Sequence, residues 1–262
     1  MQSMCGSALL CLSKKERKTK LLQSDIKKQL LSLYKYRIEM HAHTSPASPC
    51  SQIPPEKMVR IYSGLGYDAV VITNHFIFEL LNKLPKKEAV KAYLEDYQKA
   101  VRESEKYNIK ILLGAEIRFT ENINDYLLYG VDENILNMVY DYLPRGIKAF
   151  RNELKLDKSV FIQAHPFRDG MKRVDPALLD GIETFNLHPG HNSRVAIAQR
   201  YASTNNFKIT TAGSDFHHPD RGHEGISALR TKKLPGDSFE LAEILKSGDY
   251  IFEIGASAVV LP

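Results

Sequence analysis

A chain of 262 residues, 43% hydrophobic and 26% charged, has an ordinary globular composition and enough apolar side chains for one large core. Its net charge of +5 is modest, and no apolar stretch approaches the roughly 20 residues of a membrane span. Cys5, Cys11 and Cys50 fit neither a disulfide framework nor a zinc-finger spacing, so any metal has to be held mainly by His, Asp and Glu.

Residues 1–32 are expected to form a basic N-terminal arm, solvated and partly helical, with lysines and arginine concentrated in Lys14–Lys20 and at Lys27 and Lys28. The run lacks the aromatic interleaving of a nucleic-acid handle. Ala8–Leu12 is too short for a secretory core, and the lysines follow it instead of preceding it. A cytoplasmic protein is therefore expected, with residues 33–262 as one domain.

That domain should begin with a strand over Tyr36–Met40, ending at His41. A helix follows at Pro54–Gly66, where Pro55 and Glu56 suit the first turn and Met58, Ile61 and Leu65 fall at helical spacing. A strand running to Thr73 and a helix over Lys86–Lys106 come next, then the apolar run Ile111–Ala115 leading into Glu116. Further strands are expected at Tyr126–Val131, Val160–Ala164, Gly181–Asn186 and Lys208–Gly213, with a helix at Ser193–Asn205 before the last of these. A helix near Phe239–Lys246 and a strand at Tyr250–Ile254 complete the chain. Strands alternating with helices at this pitch predict a parallel α/β sheet with right-handed crossovers, and seven such units favour a closed or nearly closed barrel.

All nine histidines lie between His41 and His223, and most stand just past an apolar run. Ligand-type residues at successive strand ends converge on one face of an α/β barrel, where such folds place their chemistry. In His41-Ala42-His43, residues two apart on a strand share a face, so both imidazoles can reach one ion. Asp215-Phe216-His217 repeats that spacing with a hard oxygen donor, and Glu116, His75 and His165 raise the set to seven N/O ligands on five strands. One tetrahedral zinc needs fewer, and paired metals suit phosphate-ester hydrolysis. Mixed imidazole and carboxylate favours Zn, Mn or Fe over Mg or Ca alone.

His41-Ala-His43-Thr44, Thr73-Asn-His75, Gly114-Ala-Glu116, Ala164-His165-Pro166, Asn186 and Gly213-Ser-Asp215-Phe-His217 together resemble the motif series of the PHP (polymerase and histidinol phosphatase) superfamily. The match runs in order over some two-thirds of the chain. The resemblance implies a distorted (β/α)7, TIM-like barrel with two or three divalent ions at the C-terminal strand ends. It also implies hydrolysis of a phosphate monoester or of a nucleotide or oligonucleotide phosphoester, by a metal-bound hydroxide. Carried over residue by residue, His41, His43, Glu116 and Asp215 would hold one ion, with Glu116 bridging. His75 and His217 would hold a second, with Cys50 where the family has His or Asp, and His165 with Glu116 would serve a third. Glu116, His165 and Asp215 thus become the candidate catalytic set.

Three positions depart from the family pattern. Asn74 stands where aspartate is usual, Glu39 replaces the aspartate before the first His pair, and no histidine lies between Glu116 and His165. In that last interval Asp125 or Tyr126 occupies the nearest region, which leaves two or three ions open. For substrate, Arg168 in His-Pro-Phe-Arg and Arg118, two beyond Glu116, are candidate phosphate clamps. His188 is a third candidate, and with His191 and His218 it is expected to line the pocket without ligating, while His223 is expected on a loop. Nucleic acid enters only as a possible substrate, with no membrane partner, and the oligomeric state stays open. Two rival classes are an amidohydrolase-type C–N hydrolase, which would want a lysine or glutamate on the strand near Leu127–Val131, and a non-catalytic metal-binding regulatory domain.

Overall fold

A computed structural model describes residues 14–219, 221–222, 224–255 and 258–262. Cys5, Cys11, the Ala8–Leu12 run and His223 lie outside the described residues. The first described element is helix α1 (Lys14–Leu33), so the expected arm is helical from Lys14 to its end. The chain then passes through β1 (Tyr36–Ala42), α2 (Pro55–Gly64), β2 (Ala69–Ile72), β3 (His75–Ile77), the short α3 (Phe78–Leu81) and α4 (Lys86–Ser104). The middle of the chain forms β4 (Lys110–Leu113), β5 (Ala115–Arg118), β6 (Asp125–Tyr129), α5 (Glu133–Tyr140), α6 (Gly146–Glu153) and β7 (Val160–Gln163). The last third forms β8 (Gly181–Asn186), α7 (Val195–Thr204), β9 (Ile209–Gly213), β10 (Ser227–Thr231), α8 (Ser238–Ser247), β11 (Tyr250–Ile254) and β12 (Ala258–Val260). Among the described residues no helix is long and apolar enough to cross a membrane.

Local chemistry explains where several helices start. Asp132 accepts a hydrogen bond from the Ile135 amide (2.8 Å) and caps α5. Asp237 accepts from the Phe239 and Glu240 amides and caps α8, whose other end closes on Gly248 in the left-handed region. In α4, Ala89, Val90, Tyr93 and Leu94 supply the buried stripe that packs the helix onto the sheet.

Among the described residues the strands form two six-stranded sheets, in the orders β12-β11-β10-β1-β2-β4 and β3-β5-β6-β7-β8-β9. The expectation of parallel neighbours holds for β1–β2, β2–β4, β3–β5, β7–β8 and β8–β9. It is corrected at β5–β6, β6–β7, β1–β10, β10–β11 and β11–β12, all of which are antiparallel. At β5–β6 the cause is plain: the connection 119–124 is too short for a crossover, which takes a dozen or more residues.

The sheets meet along two seams. On one, β2 continues into β3 past Thr73-Asn74, and β4 into β5 past Gly114, with Gly114 N donating to Ile72 O and Glu116 N to Asn74 O. On the other, Ala42 and Phe216 form a parallel bridge, with His43 N donating to Phe216 O at 2.9 Å. Residues from both sheets, including Ile38, Val71, Leu127 and Ile162, pack into one apolar cluster that Leu241 and Leu245 of α8 complete. The candidate ligands lie along the seams.

Candidate metal centre

Glu116, buried at the start of β5, is the hub. Its Oε1 stands 3.2 Å from His165 Nε2 and 3.3 Å from His41 Nε2. Its Oε2 stands 2.7 Å from His75 Nδ1 and 3.5 Å from His43 Nε2. Asp215 faces the same imidazoles from β9's end, with Oδ1 3.4 Å from both His41 Nε2 and His43 Nε2 and 3.3 Å from His217 Nδ1. The backbone yields to this arrangement. His165 and Asp215 both adopt positive φ (28° and 53°), a strained conformation for a side chain with a Cβ, and β1 breaks register against β2 between Glu39 and Ala42.

The sequence-nominated ligands His41, His43, His75, Glu116, His165, Asp215 and His217 are therefore brought together. Among the described residues three subsets place their donor atoms within 4.8 Å of one another: His43–His75–His217, His41–His43–Glu116 and His75–Glu116–Asp125. Cys50 is exposed at the rim, its Sγ 3.2 Å from His75 Nε2. Burial raises its thiol pKa, but hydrogen bonds from His217 and His75 outweigh this and bring it down to about 6.

Four buried atoms test whether cations fit. His41 Nε2, His43 Nε2, His75 Nδ1 and Glu116 Oε2 all lack an aligned hydrogen bond despite their neighbours. Buried polar atoms left in that state are costly, and divalent ions between them would satisfy all four. The donor set, imidazole with carboxylate, is one that fits a divalent metal ion.

The outward ring nitrogens are already engaged, which turns Nε2 of His41 and His43 inward. Glu183 Oε1 meets His41 Nδ1 at 2.9 Å and Ser48 Oγ meets His43 Nδ1 at 3.1 Å. Glu183 also accepts from the His165 amide (2.9 Å) and from Asn186 Nδ2 (3.0 Å). Sequence reasoning missed Glu183. The available signal was a carboxylate inside the otherwise apolar run that leads to Asn186. Asn74 proves to be a scaffold: it accepts from Thr44 N and Ser48 Oγ and donates to Thr44 Oγ1, fixing the loop that carries Ser48.

Charge inside the cluster polarises its members. Burial alone would raise the Glu116 and Asp215 carboxyls, but facing imidazoles hold both well below the usual carboxylate range. Burial lowers His41 and His75, yet nearby carboxylates reverse this and push both up, His75 to about 10. His43 goes the other way, driven down by burial and by the charges of His217 and His75.

Arg168 donates to Asp215 Oδ2 and to Asn186 Oδ1 (2.9 Å), and Arg118 pairs with Asp125 through Nε (2.8 Å) and Nη2 (2.9 Å). Both arginines thus neutralise carboxylates of the cluster while lining its cavity of about 460 Å3. His188, His191 and His218 line the same cavity, and burial pushes His188 down to about 3.

Beneath the site, Glu39 Oε1 accepts from the Met40, His41 and Ser214 amides, and Oε2 accepts from Tyr62 Oη. Burial outweighs these donors and raises the carboxyl from its ordinary 4.5 to about 7. A raised folded pKa favours the protonated form, so its stabilisation is complete below 4.5 and is lost as pH rises through 7. In metal-free protein, urea unfolding of wild type against Glu39→Gln should show wild type losing about 3 kcal/mol relative to the variant between pH 4.5 and 8. Glutamine keeps an oxygen for the three amides and stays neutral throughout. Parallel pH curves for the two proteins would refute this.

A seam lined by imidazoles and carboxylates around unsatisfied donor atoms defines a candidate metal-binding protein. Residues 39–209 match the PHP domain, and the chain belongs to that family. A two-domain protein from Bacteroides vulgatus, described as containing a predicted PHP-like metal-dependent phosphoesterase, shares the fold at 16% identity, with a TM-score of 0.57 over 84% of this chain. This chain spans 65% of that protein's length. Weaker likenesses, both with TM-score 0.41, join it to a candidate metal-dependent phosphoesterase from Bifidobacterium adolescentis (15% identity, 69% of this chain, 87% of that one) and to an amidohydrolase from Chromobacterium violaceum (11% identity, 70% and 88%). No curated protein sequence matches the chain.

Proposed function

We propose that this chain is a metal-dependent phosphoesterase acting on a phosphate monoester or on a nucleotide or oligonucleotide phosphoester. The observation that carries the proposal is the four unsatisfied buried donor atoms around Glu116, set in a cavity that arginines line. His41, His43, Glu116 and Asp215 would hold one ion, and His75, His217 and Cys50 a second, drawn from Zn, Mn or Fe, with His165 leaving the count at two or three. Bound divalent ions supply an acidified water and neutralise charge on the phosphoryl group. Glu183 and Ser48 orient the imidazoles, and Arg168, Arg118 and His188 receive the anionic substrate. The proposal includes a distorted (β/α)7 barrel, supported by the Ala42–Phe216 bridge between the sheets, and a peripheral arm at 1–32. It also places the enzyme in the cytoplasm.

The test is turnover of an aryl phosphate, histidinol phosphate, mononucleotides and short oligonucleotides by protein loaded with Mn or Zn. Arg168→Ala should lower kcat/KM by about one to two decades, mainly through KM, since one charged hydrogen-bond clamp contributes about 2–3 kcal/mol. Unchanged kinetics on every ester would remove Arg168 from the substrate site. Hydrolysis of amides but of no ester would favour the amidohydrolase alternative, and metal binding without turnover a regulatory domain.

A further inference from the structure

Sequence reasoning left open what occupies the place of a third ion, because no histidine lies between Glu116 and His165. We propose that Arg118 supplies a fixed guanidinium there, so that the centre takes two metal ions and one permanent organic cation. This deepens the phosphoesterase proposal above and rests on it for the role of the substrate.

Geometry alone would let Asp125 join Glu116 and His75 around an ion. Hydrogen bonding says otherwise. Asp215, held by Arg168 and Asn186 through Oδ2 alone, keeps Oδ1 facing three imidazoles, whereas the buried Asp125 carboxylate has no oxygen left over. Both Asp125 oxygens are taken by Arg118 in a two-pronged pair, Nε to Oδ1 at 2.8 Å and Nη2 to Oδ2 at 2.9 Å. That same Oδ2 stands 3.8 Å from His165 Nε2, which contacts Glu116 Oε1 at 3.2 Å. Arg118 therefore already fills the cationic role beside Glu116 and His165.

Charge arithmetic supports two ions. A divalent ion bound at Asp125 would have to displace the guanidinium or sit against it, and like charges at such separations in a partly desolvated site repel strongly. The pair with Asp125 engages Nε and Nη2, which leaves Nη1 as a further donor on a side chain that lines the cavity. An arginine held this way cannot dissociate or be chelated, and its planar fork suits a phosphoryl oxygen. The ligand chemistry it selects is a phosphoryl dianion that meets two metal ions on one side and a guanidinium on the other.

The experiment counts metal on the full chain by elemental analysis after equilibrium dialysis against Mn2+. Wild type should saturate at two ions per chain. Arg118→Ala should rise to three, because the Asp125 carboxylate is released to ligate with Glu116 and His165. The double variant Arg118→Ala/Asp125→Asn should return to two. On an aryl phosphate, Arg118→Ala should raise KM by about tenfold or more. Three ions in wild type falling to two in Asp125→Asn would overturn the proposal, and so would two ions in both wild type and Arg118→Ala. If Arg118→Ala does not fold, Asp125→Asn decides alone: an unchanged count of two supports the proposal and any fall refutes it. Absence of turnover with these counts intact would count against the phosphoesterase assignment and not against the guanidinium.

Discussion

Glu116→Gln is expected to release metal and abolish turnover with little change in shape. Every other cluster member can lose one neighbour and keep others, but Glu116 alone touches His41, His43, His75 and His165. Glutamine preserves the volume and removes the charge shared by those four imidazoles. Without that charge, adding divalent ions means placing positive charge beside rings that have only Asp215, Glu183, Cys50 and Asp125 left to balance it. Loss of an outer partner of a metal ligand costs about 10–100-fold in affinity or activity. Loss of the central bridging charge should exceed this, on the order of 10³-fold or more in kcat/KM. Metal analysis and steady-state kinetics on the same preparation decide the matter. A variant that keeps full metal content and loses less than tenfold would show that the hub lies elsewhere.

Gly213→Ala is expected to lower stability and metal affinity together, although glycine itself takes no part in the chemistry. A Cβ at Gly213 would stand 2.4 Å from the His41 Cβ and 2.8 Å from Glu183 Oε1. Neither neighbour can move away cheaply, since His41 and Glu183 are fully buried and bonded to each other. Overpacking of this kind costs about 1–3 kcal/mol and sometimes more. For a chain of this size that corresponds to roughly 2–4 °C in Tm per kcal/mol. Because the displaced groups are His41, the proposed ligand, and the Glu183 carboxylate that orients it, metal affinity should fall together with Tm. Thermal unfolding with metal titration tests this, and a variant with wild-type Tm and affinity would mean that β9 can shift away from β1 without cost.

Much of the site was legible in the sequence because its members stand at strand exits. An apolar run followed by His-x-His or Asp-x-His is a local pattern, and strand periodicity places both residues on one face. Glu183 was not legible in that way. It sits within a strand, and its partner His41 lies 142 residues away in the chain, so only the folded sheet order reveals the pair. The arginines show the same limit from another side. Spacing puts Arg168 and Arg118 near the candidate ligands, but only the folded chain brings Asp215 and Asp125 up to claim them. For the fold, helix limits came within about two residues wherever proline, glycine or a buried stripe marked them, as at α2 and α4. Strand direction did not follow, because alternation of strands and helices carries no information on which neighbour a strand pairs with. Helices α3, α5 and α6 and strands β3, β10 and β12 carry no strong sequence signal, since their segments are short.

The ligands straddle a structural joint. His41 belongs to one sheet, Glu116 and His75 to the other, and Asp215 lies next to the Phe216 bridge that ties them. A cation seated among these residues fastens two sheets whose hydrogen-bonded contact at that edge is narrow. An ion held there would therefore act mechanically as well as chemically, tying the two sheets together across their joint. The residues placed to bind an ion are then the same few that would hold the two sheets together.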